Sequence, residues 1–283
     1  MPSYDLHRHL WPDQLVSALR ARTSPPCLRD GVLELDPGGA FELDPAAYGL
    51  QACLDELDRT GIDVAVVSCP PTLGIEFVPE LLDAYHEGAL AAVEAAAGRV
   101  LALSLTQPLD GFVGTCVAAR ALLELDRLAP VLDDVERRGS FVFVHPGSAG
   151  RPAGAPPWWT AVVDYTAEMQ AAYAAWLAHG VDRWPALKVL FAILAGGAPF
   201  QLERLQSRGG DIRTALRSTI FLDTASYGRR ALELCFATFG ARQIVYGSDA
   251  PVLDARVTLE PVRSFGHAAT DALCCENPNR LLT

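Results

Sequence analysis

Lysine is almost absent from this sequence, since Lys188 is the only one among 283 residues. So few lysine amines leave little room for Schiff-base chemistry. The seven cysteines are odd in number and never occur as Cys-x-x-Cys. Neither a disulfide framework nor a thiolate zinc site is therefore predicted, and the thiols are expected to be reduced and mostly buried.

Long apolar runs and an excess of positive charge are also missing. No run reaches the roughly 18 apolar residues of a membrane span, and the first residues lack the basic and apolar regions of a signal peptide. The 23 Lys and Arg against 34 Asp and Glu give a formal charge of −11, which repels phosphate backbones and anionic membranes. A hydrophobic fraction of 50% excludes disorder. We expect a soluble cytoplasmic protein that acts on a small molecule and binds neither nucleic acid nor membrane.

What the sequence does contain is a repeat of short apolar runs separated by helical segments. Most runs are continuously apolar, as strands covered on both faces are. Eight parallel strands in 283 residues favour a (β/α)8 TIM barrel, an α/β fold, as one domain over residues 1–283. The predicted strands are Ser3–His7, Asp63–Ser68, Val100–Leu105, Phe112–Cys116, Phe141–His145, Lys188–Ala192, Ile220–Asp223 and Gln243–Tyr246. Helices are predicted over Pro45–Arg59, Pro79–Ala97, Leu125–Arg138 and Thr160–His179.

Two connections depart from this repeat. Only six residues, 106–111, separate the third and fourth predicted strands, although a parallel crossover usually takes about a dozen. Either a helix has shrunk to a turn or one strand prediction is wrong. Residues 10–45 are the opposite case, a long insertion after the first strand with a predicted helix, Asp13–Arg22, and two strand-like pieces around Asp-Pro-Gly-Gly. We expect a lid or pocket wall over the C-terminal face of the barrel, where TIM-barrel sites are built.

Metal-binding residue types occur at the ends of three predicted strands. His7 and His9 lie two positions apart, so on an extended chain both rings point to the same side. His145 ends the fifth predicted strand, and Asp249 follows the eighth. Three imidazoles and one carboxylate suit a divalent transition metal, with zinc expected first and manganese or iron as alternatives.

The ordered motifs carry a resemblance to a known family. They are Asp-Leu-His-Arg-His (5–9), Phe-Val-His-Pro-Gly (143–147), Ala-Gly-Gly-Ala-Pro-Phe (195–200), Phe-Leu-Asp-Thr-Ala-Ser-Tyr-Gly (221–228) and Tyr-Gly-Ser-Asp-Ala-Pro (246–251). This order resembles the amidohydrolase-related family, metal-dependent (β/α)8 enzymes that include aminocarboxymuconate-semialdehyde decarboxylase and related aromatic-acid decarboxylases. The resemblance implies a barrel of the metal-dependent hydrolase type and a homodimer. It also implies that His7, His9, His145 and Asp249 ligate the metal and that a bound water completes the shell.

One histidine of that family has no counterpart here. By resemblance it follows strand six in a His-x-Gly-Gly-like motif and handles protons, but Phe191–Gly197 contains no histidine. The isoleucine at position 193 cannot transfer a proton, ligate a metal or donate a hydrogen bond. Asp249 is the first candidate to act in its place, as the catalytic group that accepts a proton from a metal-bound water. Asp223 is the second candidate, with a structural hydrogen-bond anchor as its alternative role.

Several side chains are predicted to contact the substrate. Aromatic rings after the first and fifth strands suit an apolar or aromatic ligand, and an arginine beside them suits a carboxylate. Packing on the barrel exterior is the alternative for the two adjacent tryptophans. The predicted substrate-binding residues are Trp11, Arg151, Trp158, Trp159, Ile193 and Asp223.

Three functions fit these observations. The first is a metal-dependent hydrolase that uses a metal-activated water on a small organic substrate, aromatic or carboxylate-bearing, with a metal-dependent decarboxylase as the variant of this hypothesis. Hydrolysis is preferred because the resemblance ties the missing histidine to decarboxylases. The second is an iron- or manganese-dependent enzyme that uses oxygen. The third is a non-catalytic relative, suggested by the missing histidine but opposed by the retention of all four metal-binding residues.

Overall fold

Eight parallel strands form one sheet whose first and last members meet. The computed structural model describes residues 1–150 and 152–283. Its barrel strands follow one another around the sheet in chain order. The seam closes through backbone hydrogen bonds from Leu6 N to Tyr246 O (3.0 Å) and from Asp249 N to His7 O (2.8 Å). The predicted (β/α)8 barrel is confirmed.

All eight predicted barrel strands are present, three of them with the predicted bounds and the others with ends that differ by at most two residues. The first strand reaches His9 rather than stopping at His7, because its pairing with the next barrel strand continues from His9 to Ser68. The strands in the described residues are β1 Tyr4–His9, β2 Cys27–Arg29, β3 Val32–Leu35, β4 Gly39–Glu42, β5 Val64–Ser68, β6 Val100–Leu105, β7 Gly114–Ala118, β8 Phe141–His145, β9 Lys188–Phe191, β10 Ile220–Asp223 and β11 Ile244–Val245.

Helices surround the barrel and cover its apolar strands. They are α1 Asp13–Ala21, α2 Leu50–Thr60, α3 Pro79–Ala95, α4 Leu125–Arg137, α5 Tyr165–Ala175, α6 Val181–Arg183, α7 Ile193–Ser207, α8 Arg229–Phe239, α9 Ala255–Arg263, α10 His267–Asp271 and α11 Asn277–Leu282. One π-helical turn on each side, Thr160–Asp164 and Trp176–Gly180, extends α5 into one long helical segment. In the described part of the chain, no helix combines the length and the apolarity that a bilayer crossing requires.

The short connection between β6 and β7 is a turn. Residues 106–113 contain no helix, and Thr106 adopts a left-handed conformation with φ +67°. The two strands are nevertheless paired in parallel, with Leu103 opposite Gly114. Both strand predictions are therefore right, and the first of the two alternatives, a helix reduced to a turn, is the one observed.

The insertion after β1 contains α1 and a three-stranded antiparallel sheet, β2–β3–β4. Strand β2 was not predicted, because a strand of three residues leaves too few positions to show an alternation. Trp11 anchors the start of the insertion, with its ring packed against that of Tyr48 at a centroid distance of 4.6 Å and an interplanar angle of 31°. In the turn between β3 and β4, Pro37 Cβ lies 3.3 Å from the point that a Cβ on Gly150 would occupy. The turn between β3 and β4 therefore contacts the loop that follows β8.

Candidate metal centre

Three barrel strands bring four metal-binding side chains to one point. Strand β1 supplies His7 and His9, β8 supplies His145 at its last position, and Asp249 follows β11. One ligand atom from each lies within 4.8 Å of the others. The three imidazole rings are mutually edge-on, with centroids 5.0 to 5.2 Å apart. The structure thus brings together the four residues that the sequence singled out.

The local backbone explains how these side chains converge. Gly247 lies against β1, and a Cβ on it would come within 2.7 Å of the Cβ of His7, so only glycine fits without a shift. Two residues later, Asp249 has a φ of +63°, a conformation that aspartate tolerates better than most residues. This turn aims the carboxylate back across the mouth of the barrel, so that its Oδ1 lies 3.0 Å from His9 Nε2 and 3.5 Å from His7 Nε2.

The hydrogen bonds of the rings leave one nitrogen of each facing the centre. His7 Nδ1 lies 2.7 Å from Asp223 Oδ2, His145 Nδ1 lies 2.9 Å from Pro146 O, and His9 Nδ1 lies 3.4 Å from Ser68 O. In neutral rings of His7 and His145, the oxygen acceptors at Nδ1 favour the tautomer in which Nε2 carries the lone pair, whereas His9 Nε2 forms a hydrogen bond with Asp249 Oδ1 at 3.0 Å. His7 Nε2 is buried and has no hydrogen-bond partner among residues 1–150 and 152–283. A buried nitrogen of this kind is a position that a cation would satisfy.

The charged groups around the three imidazole rings shift one another's pKa values. Burial by itself would lower the pKa of His7, but the carboxylates of Asp223 and Asp249 outweigh it and raise that pKa to about 9. Burial, helped by the rings of His7 and His9, lowers the pKa of His145 well below 6.5. Burial would raise the pKa of Asp249, yet its hydrogen bond with His9 and the three nearby imidazoles lower it below 3.8. At neutral pH the site thus offers a carboxylate and a neutral His145, and metal binding at His7 would release a proton.

This donor set fits a single divalent transition metal. Three imidazole nitrogens and a carboxylate oxygen match the ligands of zinc, manganese and iron sites, whereas calcium prefers oxygen ligands alone. His7, His9, His145 and Asp249 are the residues that would hold the ion.

A cavity of about 360 Å³ opens beside the four residues, and Ile193 is part of its wall. Much of the rest of its wall was not anticipated. In the sequence, Tyr165, Met169 and Tyr173 recur every four residues along the predicted helix Thr160–His179, a spacing that indicates first a packing face, with a side chain at the helix start reaching the pocket as the alternative. Ser226 and Tyr227 are present only as the end of the motif that contains Asp223. The other residues that line the cavity are Pro70, Thr72, Pro146, Ala161, Val162, Tyr165, Thr166, Ser226, Tyr227 and Val252.

The predicted tryptophans do not line this cavity. Trp11 is buried under the insertion against Tyr48, because the chain turns away from the barrel mouth immediately after β1. Trp158 and Trp159 stack on each other, and Trp158 is 56% exposed. The helical turn that follows them contributes Ala161 and Val162 to the wall instead. Arg151, predicted to meet a substrate carboxylate, lies outside the described residues.

Asp223 lies behind the metal-binding residues rather than in the cavity. It is fully buried, and its carboxylate accepts hydrogen bonds from His7 Nδ1 and from the backbone N–H groups of Ile193 and Ala225. It is not among the residues that line the cavity, so the structure does not place it where a substrate in that cavity would be contacted. Its contacts are those of the structural anchor that the sequence left as the alternative.

No family model matches the sequence. Among curated proteins, it is 27% identical over 138 residues to 2-amino-3-carboxymuconate-6-semialdehyde decarboxylase of Dictyostelium discoideum. This match covers 44% of the chain and 38% of the relative, less than half of either. The similarity agrees with the resemblance that the motifs indicated.

Solved structures share the fold along nearly the whole chain. IDCase of Metarhizium anisopliae superposes with a TM-score of 0.83 at 19% identity, over 99% of this chain and 97% of the other. A dihydroxybenzoic acid decarboxylase of Polaromonas sp. JS666, solved with bound manganese and the inhibitor 2-nitroresorcinol, superposes with a TM-score of 0.71 at 16% identity, over 99% and 96%. The barrel architecture is therefore that of these proteins, as the resemblance implied.

Proposed function

We propose that this chain is a metal-dependent decarboxylase of a small aryl or vinyl carboxylate. The observation that carries the proposal is the convergence of His7, His9, His145 and Asp249 on one point beside an apolar cavity. The curated protein that the chain matches and the manganese-bound Polaromonas structure are both named as decarboxylases. Decarboxylation therefore has more support than hydrolysis, which the missing histidine favoured when the sequence was considered alone.

The wall of the cavity suits a flat, mostly apolar substrate. Ile193, Val162 and Val252 present aliphatic surface, and Tyr165 and Tyr227 present aromatic rings. Among the described residues that line the cavity, none is a lysine or an arginine. The positive charge opposite a substrate carboxylate would come from the ion, which supplies Lewis-acid stabilisation of developing negative charge when bound.

Decarboxylation breaks the bond between the substrate carbon and its carboxylate, and a proton must then replace the lost CO2. Asp249 is ionised at neutral pH because its pKa is lowered, so it is suited to accept rather than to donate a proton. With the three histidines bound to the ion, the described lining groups that hold a proton for donation would be the hydroxyls of Thr72, Tyr165, Thr166, Ser226 and Tyr227. Burial, with the nearby charge of Glu168, raises the pKa of Tyr165 to about 12, so its phenol stays protonated at neutral pH.

Elemental analysis tests the centre, and product analysis tests the reaction. Protein purified without added metal is expected to carry about one equivalent of a first-row transition metal, and His145→Ala and Asp249→Asn are expected to lose it. His179→Ala is the matched control, because His179 is exposed and lies outside the centre. Release of CO2 from a panel of hydroxybenzoates, without hydrolysis of aryl esters, is the expected activity. Metal retained in both variants, or ester hydrolysis alone, would contradict the proposal.

The same preparation decides which metal is native. Zinc was the first expectation from the donor set, whereas manganese is the ion in the Polaromonas structure. Iron together with oxygen consumption would favour the oxygen-dependent alternative. Metal without turnover on any substrate would favour the non-catalytic one. The homodimer, the lid role of residues 10–45 and the cytoplasmic location remain predictions.

A further inference from the structure

Asp223 makes three hydrogen bonds that join two parts of the site. Its Oδ2 lies 2.7 Å from His7 Nδ1, and its Oδ1 accepts from Ile193 N at 2.8 Å and from Ala225 N at 3.0 Å. The side chain has no exposed surface. One carboxylate therefore contacts a metal-binding histidine on one side and the backbone beside the cavity on the other.

The contact with His7 determines which of its nitrogens faces the centre. An ionised carboxylate only accepts hydrogen bonds, so Nδ1 must carry the hydrogen at 2.7 Å from Oδ2. Once the ring is neutral, Nε2 carries the lone pair at a position that has no hydrogen-bond partner among the described residues. With Nδ1–H held in this way, the ring has only to lose the proton on Nε2 in order to ligate an ion.

The contact with Ile193 N lies at the start of α7, where the first five residues form a left-handed turn before the right-handed helix begins. Ile193, Leu194 and Ala195 have φ values of +47°, +51° and +51°, and Gly196 and Gly197 continue with +68° and +94°. Left-handed backbone costs about 1 kcal/mol or more at each non-glycine residue. Such a turn persists only where its surroundings hold it. Asp223 holds its first residue, and Gln170 Nε2 donates to Gly196 O at 2.6 Å near its end.

We propose that Asp223 is a positioning residue with two functions: it fixes the metal-binding tautomer of His7, and it holds the left-handed turn that places Ile193 in the cavity wall. The proposal rests on the metal centre of the proposed function but not on the reaction. It gives the carboxylate at the end of β10 a role toward the ion, although this carboxylate is neither one of the four proposed ligands nor part of the cavity wall.

An asparagine at position 223 separates the two functions. Two backbone N–H groups face Oδ1 and one ring nitrogen faces Oδ2, so the amide gains most by turning its oxygen to the backbone and its NH2 to His7. The turn is then kept. His7 Nδ1 must instead accept, which moves the ring hydrogen to Nε2 and blocks ligation.

The experiment is a titration with MnCl2, followed by calorimetry, on the wild type and three variants. We expect Asp223→Asn to bind Mn²⁺ about 10- to 100-fold more weakly. In its metal-free form, ¹⁵N NMR should show His7 as the Nε2–H tautomer, while hydrogen exchange at the Ile193 amide stays slow. Asp223→Ala should lose both the affinity and the slow exchange. Gln170→Ala, the matched control, should speed exchange in the turn and leave Mn²⁺ affinity unchanged.

The outcomes separate this inference from the proposed function. Wild-type protein that binds no Mn²⁺, Zn²⁺ or Fe²⁺ would overturn the metal centre itself. Suppose that the wild type binds Mn²⁺, and that Asp223→Asn binds it with the same affinity and keeps the Nδ1–H tautomer of His7. This result would overturn the role of Asp223 in fixing the tautomer and would leave the metal centre standing. Unchanged exchange at Ile193 in a folded Asp223→Ala would overturn the role in the turn. If Asp223→Ala fails to fold, the Asp223→Asn result still decides the first function.

Discussion

At the scale of single residues, the centre depends on groups that never touch a ligand. Gly247 has no side chain and so leaves room for that of His7, and Asp223 accepts a hydrogen bond from His7 Nδ1. Ile193 supplies an apolar surface where the resemblance implied a proton-handling histidine. The positions around the metal-binding residues therefore decide what the same four ligands are able to do.

Replacing Gly247 with alanine should weaken both the fold and metal binding. The new Cβ would lie 2.7 Å from His7 Cβ and 3.1 Å from Asp223 Cβ, so one of these two side chains must move. We expect the free energy of unfolding to fall by about 1–3 kcal/mol and Mn²⁺ affinity to fall with it. Urea denaturation and calorimetry measure the two effects. Gly228→Ala is the control, because nothing lies within 4 Å of the added Cβ. If both variants lost the same unfolding free energy and the same Mn²⁺ affinity, the close approach of Gly247 to His7 would be unimportant.

Glu76 should make the stability depend on pH. Burial raises its pKa from 4.5 to about 7, although the charge of Arg120 opposes this, and its Oε2 has no partner among the described residues. Because the folded state holds the proton more tightly, ionisation of Glu76 costs stability as the pH rises from about 4.5 to 7. The cost is absent below this range and constant above it.

Glu76→Gln should therefore stabilise the protein by about 2 kcal/mol at pH 8 and make little difference at pH 4.5. Urea unfolding at the two pH values is the measurement. Glu124→Gln, in which an exposed carboxylate paired with Arg127 is replaced, should show no such gain. A benefit of Glu76→Gln that is the same at both pH values would rule out ionisation as its cause.

At the scale of elements, close approaches fix how the insertion sits on the barrel helices. Gly88 in α3 faces Pro12, which precedes α1, and a Cβ on Gly88 would come within 2.4 Å of Pro12 Cβ and 2.7 Å of Gln14 Oε1. Alanine normally stabilises a helix relative to glycine by about 1 kcal/mol. Here the lack of space should reverse the sign.

We expect Gly88→Ala to lower the free energy of unfolding by about 1–3 kcal/mol, because α1 must move away from α3. Ala91→Gly in the same helix is the matched comparison, since Ala91 is exposed and its replacement reports helix propensity without packing. Chemical denaturation of both variants gives the two values. A higher free energy of unfolding for Gly88→Ala would mean that α1 moves away from α3 with little loss of stability.

At the scale of the whole molecule, the proposed metal centre connects strands from opposite ends of the chain. Strands β1, β8 and β11 belong to one closed sheet, and their side chains meet at its mouth. An ion that binds only the folded barrel stabilises it by mass action, by about 2.7 kcal/mol when free metal is 100 times the dissociation constant. Metal should thus act on global stability as well as on activity.

Addition of Mn²⁺ to chelator-treated protein should therefore raise the midpoint of thermal unfolding, and EDTA should reverse the change. Asp249→Asn should abolish most of the increase, because the only carboxylate among the four proposed ligands is lost. Scanning calorimetry at several Mn²⁺ concentrations is the measurement. An increase that persists in Asp249→Asn would place the stabilising ion elsewhere in the protein.

The sequence by itself determined the features that depend on neighbouring residues. Continuous apolar runs predict the eight barrel strands, and two-residue alternation predicts that His7 and His9 share a side. The C-terminal ends of parallel strands meet at one face, so His145 and Asp249 could also be assigned to that face. The three-residue strand β2 was too short to leave a pattern.

Only the tertiary structure decided what depends on distant partners. The role of Asp223 lies in contacts with residues 216 and 30 positions away, and these determine both the tautomer of His7 and the turn at Ile193. The same holds for Tyr165, which faces the cavity although its spacing indicates helix packing, and for Trp11, which is buried against Tyr48. Periodicity reports which face of an element is apolar, but the packing of the closed barrel decides what that face meets.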